Sequence, residues 1–342
     1  MKKKIQNIIE NFGLPRIIIF LFLVLLFALA PVVGVRFDTS INDVIVRFAM
    51  NGILVLSLVP MVKSGCGLNF GLILTIKAGL LGAVFSIEMK MIGFVGFFTA
   101  VGVAIFFAVV FGFLYGLLLN KVKGDEMVVA TYVGFSSVSF MCIMWLMLPF
   151  KSPNMIWAYG GSGLRTTINT KGYWFHILTN LLQIKIGSYI TFPTGTILFF
   201  VLLTFLVWVF FRTKMGTAMT AVGSNTDYAK FCGINVDKMR VISVILSTVI
   251  AAIGIIVYQE SFGFIQLYMA PLYMAFPAIA ALLLGGASVG KASIKNVIIG
   301  AFLFQGILTM TPSVINNIIK SDMSESIRIV VSNGMIVYAL TR

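Results

Sequence analysis

Ten apolar runs follow one another along the chain, and they leave it little freedom to be anything but a membrane protein. Crossing about 30 Å of hydrocarbon as a helix takes roughly 20 mostly apolar residues, because every backbone N–H and C=O must find its partner inside the segment. The runs are read at 16–35, 44–62, 68–87, 91–119, 127–149, 191–211, 241–259, 267–284, 294–311 and 327–340, the last being short. This pattern predicts an all-α, polytopic fold of about ten transmembrane helices in a single domain over residues 1–342. An even number of spans puts both termini on one side.

Composition excludes the soluble classes. Hydrophobic residues make up 59% and charged residues 11%, a balance no water-exposed surface of this size carries. A net charge of +14 would suggest a polyanion partner in a soluble chain. Here the basic residues stand singly at the ends of apolar runs and read as topology signals, so membrane lipid is the expected surrounding and nucleic acid is not an expected partner. With the N-terminus inside, the inner segments hold 15 Lys and Arg against 8 in the outer ones, which places both termini in the cytoplasm. The start of the chain has a basic lead, an apolar run and an Ala-Leu-Ala tripeptide, features shared with a signal peptide. Pro31 follows at once and the run continues to Val35, so an uncleaved first span is expected.

Two charges fall inside the runs. Lys77 lies near the middle of the third, where an unpaired ammonium facing lipid costs roughly 2.5–3.5 kcal/mol, so it is expected to line a polar path or to meet a structural partner. Arg47 follows Asp43 by one helical turn, and a local ion pair is the simpler explanation. The third run opens with SGCGLNFG (64–71), which can break a membrane helix where protein or water satisfies the freed backbone. A related interruption, LLGGASVGKAS (283–293), comes late in the chain. Paired breaks of this kind can mark an internal repeat around a central path, or only close helix packing.

Several motifs look chemical and are not read so. GGASVGKA (285–292) lacks the final Ser or Thr of a phosphate-binding loop, has Ala292 there, and follows a membrane run instead of a strand. GGSG (160–163) echoes an intramembrane serine motif, but Ser162 and the lone His176 share one outer loop and no base is placed within the membrane. His176 reads as an interfacial residue. Cys66, Cys142 and Cys232 have no metal spacing. No catalytic, cofactor or metal site is expected in the chain. The large outer excursion, 150–190, carries Trp174 and Phe175 and predicts a short interfacial helix.

The longest polar interval on the inner side is 212–240. Ser224 or Asn225 can cap a helix there, Asp227 suits its first turn, and Gly233 suits the left-handed position after its end. That predicts about two turns over 226–232, too short to persist alone unless Tyr228, Phe231 and Cys232 pack on something else.

KMGTAMTAVGSNTDYAKFCGINVDKMR within this interval resembles the cytoplasmic coupling loop of ribose and branched-chain amino-acid type permeases of ATP-binding cassette importers. Gly216 after a basic residue, the run from Ala221 to Asn225, Ala229, and the run from Gly233 to Val236 carry the resemblance. SGCGLNFG and LLGGASVGKASIKNVIIGAFLFQGIL resemble the family's two glycine-rich segments in the expected order. The resemblance implies a permease of the bacterial cell membrane, working with cytoplasmic ATP-binding cassette subunits, an external solute-binding protein and a second permease subunit, identical or not. ATP and magnesium would be held on the partner subunits. Gly223, Asn225, Tyr228, Phe231 and Gly233 would form the coupling element, and Gly67, Asn69 and Gly71 the path, with Lys77 added. Asn69 stands where the family usually has an acidic residue, and Lys77 is unexpected there. A monosaccharide is the favoured solute, a nucleoside the alternative. An ion-coupled secondary transporter using Lys77 is the reading from another class, but it leaves 212–240 unexplained.

Overall fold

The computed structural model describes residues 14–157, 163–186, 190–320 and 323–340. A helix occupies each of the ten apolar intervals. In chain order these are α1 (Leu14–Val32), α2 (Phe37–Leu56) continued by α3 (Val59–Lys63), α4 (Leu72–Glu88), α5 (Gly93–Lys121) and α6 (Glu126–Met147). There follow α7 (Thr194–Phe210), α8 (Lys214–Ser224), α9 (Thr226–Phe231), α10 (Val236–Phe262), α11 (Ala270–Leu284), α12 (Ile294–Ile319) and α13 (Ser324–Leu340).

Five segments are each long and apolar enough to cross a membrane: Phe37–Lys63, Gly93–Lys121, Glu126–Met147, Val236–Phe262 and Ile294–Ile319. Helix α7 qualifies only together with α8, from which it bends by 76°. Helices α1 and α11 are apolar but shorter. The chain is a multi-pass helical membrane protein.

Helix α4 is the centre of the bundle. Nearly all of its residues are buried, and it packs on α5, α6, α10 and α11. Small residues permit this. A side chain at Gly79 would collide with Ile255 and the Ala252 backbone of α10, and one at Gly82 with Ala100 and Ala104 of α5. Without a hydrophobic driving force between helices in lipid, such close backbone approach supplies the packing that holds them. Helix α6 is the opposite case, with 17% of its apolar window buried within the chain.

The outer excursion corrects two expectations. Among its described residues there is no interfacial helix, and the fold is not purely α. Strand β1 (Thr167–Asn169) pairs antiparallel with β4 (Phe264–Gln266), directly after α10, and β2 (Ile184–Ile186) pairs with β3 (Ile190–Phe192). The physical reason is where the backbone donors go. Thr170 N–H reaches Gly263 O, His176 N–H reaches Glu260 O, and Leu178 and Thr179 N–H both reach Glu260 Oε1. The end of α10 therefore satisfies donors that a helix would have kept for itself. Trp174 is fully buried instead of anchoring in an interface, and His176 Nε2 lies 3.0 Å from Ser261 O, pinning the strap to α10. Ser162 of the GGSG motif lies outside the described residues, as do Lys2, Lys3 and Lys4.

The expected local attraction between Arg47 and Asp43 is present, but it does not close to a direct ion pair. Arg47 takes part in none of the ion pairs among the described residues. Besides Asp43 it lies within electrostatic reach of Arg328 on α13 and Tyr258 on α10, since half-buried Arg47 turns toward the bundle while Asp43 is exposed.

Candidate functional site

Segment 212–240 folds as two helices at an angle to the bundle, where the sequence foretold one. Thr213 caps α8 by accepting from Gly216 N–H, and Asn225 caps α9 by accepting from Tyr228 N–H at 2.9 Å. Asp227 stands in the first turn of α9, and Gly233 at φ +76° follows its end in the left-handed conformation. Ala229 is buried in a small core with Val222, Val236 and Met239, which roots α9 on α8 and α10. Its outer face is bare: Tyr228 is 65% and Phe231 90% exposed, and Cys232 is exposed too.

Gly223 does something the sequence did not reveal. A Cβ there would collide with the Lys63 carbonyl, and a Cβ on Gly65 would stand 3.1 Å from Gly223 Cα, so α8 rests backbone to backbone on the end of α3. The C-terminal side of the segment is tied as well. Lys123 pairs with Asp237 at 2.6 Å, and Arg240 makes a partly buried ion pair with Glu126 at the start of α6. Ser64 and Ser243 share a 2.6 Å hydrogen bond in the interior. The exposed α9 is thus joined to the lead-in of α4 on one flank and to α6 on the other.

The two glycine-rich segments meet on this same side. Gly67, at φ +74°, faces Met127 of α6 and Val289 of the 285–293 turn. Leu68, Met127, Gly286 and Val289 line a cleft of about 530 Å³ together with Arg16 and Tyr338. GGASVGKA forms a tight turn in which Ser288 N–H reaches Lys291 O, and it follows helix α11 and no strand, so the geometry of a phosphate-binding loop is missing. Among the described residues no cluster of His, Cys, Asp or Glu could hold a metal.

The four residues expected on a path lie in the packed interior of this conformation. Asn69 is fully buried, donates to Ser247 Oγ at 3.0 Å and accepts from Tyr115 OH at 3.2 Å. Gly71 is overlain by the Tyr115 hydroxyl, leaving no room for a side chain. Lys77 is 3% exposed and donates from Nζ to Ser137 Oγ of α6. Beside that bond runs a feature the sequence reading missed. Ser136 and Ser139 lie on the exposed face of α6, with Tyr132 at 70% and Phe135 at 45% exposure. Phe135 lies 6.2 Å from Phe276 of α11, which in turn lies 6.3 Å from Phe70. The face combines hydroxyls and aromatic rings midway along a span. The SSVS run of 136–139 was its signal, unused because the hydropathy of the interval alone already read as a span.

The profile of a family described as the permease component of branched-chain amino acid transport systems matches residues 40–340. The chain belongs to that family. Its relatives include the autoinducer 2 import system permease protein LsrC of Escherichia coli O9:H4 (strain HS), 30% identical over 178 residues, covering 51% of this chain and 50% of the relative. The nucleoside ABC transporter permease protein NupB of Lactococcus lactis subsp. cremoris (strain MG1363) is 28% identical over 130 residues, 37% of this chain and 34% of its own. The probable ABC transporter permease protein YphD of Escherichia coli (strain K12) is 29% identical over 119 residues, 34% and 36% of the two chains. The matches span about half or less of the length of these curated relatives. No solved structure matches the chain. As an ABC-type permease the chain has, in α8 and α9, a projecting element tied to its spans, and in α6 a half-polar face that its own helices leave open.

Proposed function

We propose that this permease is the membrane-spanning subunit of a bacterial importer, crossing the inner membrane with ten helices and both termini cytoplasmic. It moves a small polar solute inward using ATP hydrolysed on separate subunits. The observation that carries this reading is Phe231, 90% exposed on a helix that is capped, rooted and tied to two spans. A large aromatic held bare on a rigid projection fits a partner's groove, where such residues supply most of the binding free energy. The occupant of that role is a cytoplasmic ATP-binding cassette subunit, which would also hold the ATP and magnesium.

In this reading Tyr228 and Phe231 dock, Asn225 and Gly233 fix the ends of α9, and Gly223 passes its displacement to Lys63 and the lead-in of α4. The open face of α6 meets a second permease subunit, and the solute passes along that seam. Gly67, against Met127, and Lys77, against Ser137, stand directly behind it, while Asn69 and Gly71 lie deeper against α5 and α10, and the four join the lining when the helices part. An external solute-binding protein delivers to the side of the 150–190 excursion.

The solute is read as a monosaccharide. Serine hydroxyls beside the rings of Phe135 and Phe276 offer what a sugar uses, hydrogen bonds at its edge and apolar contact on its faces. A nucleoside is the second reading, favoured by the similarity to NupB. The test is purification of the chain from its native membrane in mild detergent, identification of the co-purifying proteins and assay of ATPase activity. Recovery of an ATPase supports the reading. Recovery of the chain alone, with gradient-driven uptake after reconstitution, overturns it in favour of a secondary transporter.

A further inference from the structure

Lys77 sits about a third of the way along α4 with its charge unanswered. It is 3% exposed, its Nζ donates to Ser137 Oγ, and the Ser137 hydroxyl in turn donates to Gly134 O at 2.7 Å. An ammonium has three donors and no acceptor, and a hydroxyl cannot neutralise it. The ion pairs among the described residues join Lys123 to Asp237, Lys230 to Asp227, Arg240 to Glu126 and Arg328 to Glu325, and none includes Lys77. Holding α4 against α6 does not need a cation. A neutral donor would make the same bond to Ser137 without the desolvation cost of burying a charge.

What a cation adds is a field. Ser137 lies at the edge of the open face of α6, next to Ser136 and Ser139, and the neighbouring exposed side chains, Phe135, Phe140 and Ile143, are apolar and screen little. We propose that Lys77 gives this face a positive potential and narrows the sugar class read above, so that the path favours a sugar derivative that carries an anionic group, a carboxylate or a phosphate, over the neutral or cationic sugar of the same size. The inference rests on the reading of the α6 face as the path. It makes Lys77 a specificity-determining residue that acts across Ser137 instead of a contact that grips the solute.

The test measures the potential directly and needs no knowledge of the solute. Ser136→Cys and Ser139→Cys are placed singly in a chain whose Cys66, Cys142 and Cys232 are replaced by serine, expressed with its co-encoded partners in bacterial membranes. Each is labelled with the anionic reagent sulfonatoethyl methanethiosulfonate and the cationic reagent trimethylammonioethyl methanethiosulfonate. The ratio of anionic to cationic rate is expected to fall by about tenfold or more in Lys77→Met and to be kept in Lys77→Arg. A ratio that stays the same in Lys77→Met overturns the proposal, and the Lys77→Arg arm separates loss of charge from a disturbed fold. If neither cysteine reacts with either reagent during turnover, the α6 face is not the path, and both the reading and the inference drawn from it fail.

Discussion

Gly223 of α8 lies so close to the carbonyl of Lys63 that no side chain fits between them. This contact joins the only projecting helices of the 212–240 segment to the end of α3 and, through Gly65, to the non-helical lead-in of α4. At this point α8 and the end of α3 meet with backbone on both sides and no flexible side chain between them.

Gly223→Ala is expected to insert normally but to force α8 away from Lys63, with an overpacking cost of about 1–3 kcal/mol. The thermal midpoint of the purified complex should fall, and solute-stimulated ATPase activity should be lost while basal activity persists. Unchanged coupling in this variant would show that α8 moves independently of α3.

Phe231→Ala should separate docking from folding. The side chain is 90% exposed in the free chain, so its removal should change chain stability by no more than about 0.5 kcal/mol. If it is an anchor in a partner's groove, truncation should cost about 2 kcal/mol or more of association. Co-purification of the ATPase at fixed detergent and salt reads this out. Ala229→Asp gives the opposite pattern, since Ala229 is fully buried in the core that holds α9, and there the chain's own stability should suffer first.

The two residues explain how much of this element could be read in advance. Helix α9 was legible because its signals are local: Asn225 as cap, Asp227 in the first turn, Gly233 as stop. Helix α8 was not, because Gly216 and Gly223 look like breakers in a polar stretch; Gly216 is crowded by Phe210 and Phe211 at the sharp bend after α7, and Gly223 by Lys63 far away in the chain. The outer excursion failed for the same reason. Strand β1 is three residues long and finds its partner in β4, after α10, a pairing that no local periodicity encodes. The apolar intervals were legible because length and hydropathy suffice to place a helix in hydrocarbon. Which face of α6 stays open is set by its neighbours and cannot be read from its own residues.

Asn69 offers a test of structural against solute-lining roles. Its amide joins Ser247 of α10 to Tyr115 of α5, fully buried. Asn69→Ala takes from Ser247 its donor and from the Tyr115 hydroxyl the acceptor of its proton, though Tyr115 keeps the Gly71 backbone, and an unsatisfied buried group costs about 1–3 kcal/mol. The melting temperature should drop in detergent. Adding Tyr115→Phe and Ser247→Ala, which remove the orphaned hydroxyls, should recover part of the loss. If Asn69→Ala leaves the melt unchanged but shifts the solute preference of uptake, its role is in the lining and the network is incidental.

Glu260 ties down the 150–190 excursion as Gly223 ties down the 212–240 segment. Its carboxylate is fully buried at the end of α10, with Oε1 accepting from Leu178 and Thr179 N–H and Oε2 from Ser261 Oγ. These bonds and the His176 pin fasten the strap of 170–181 to a spanning helix. Glu260→Ala removes two of the bonds that hold the strap and leaves the Leu178 and Thr179 backbone donors bare, at about 1–3 kcal/mol for each unsatisfied group, while the Thr170 and His176 bonds to the end of α10 remain. Glu260→Gln keeps one carbonyl oxygen to accept them and should lie between. Proteolysis from the outer face of spheroplasts is the measurement, since cleavage tracks the open fraction of a locally unfolding segment. Cleavage within 170–181 should accelerate strongly in Glu260→Ala and moderately in Glu260→Gln, with sites on the opposite face unaffected. Equal protection in all three chains would mean that β1, β4 and buried Trp174 hold the strap without the carboxylate.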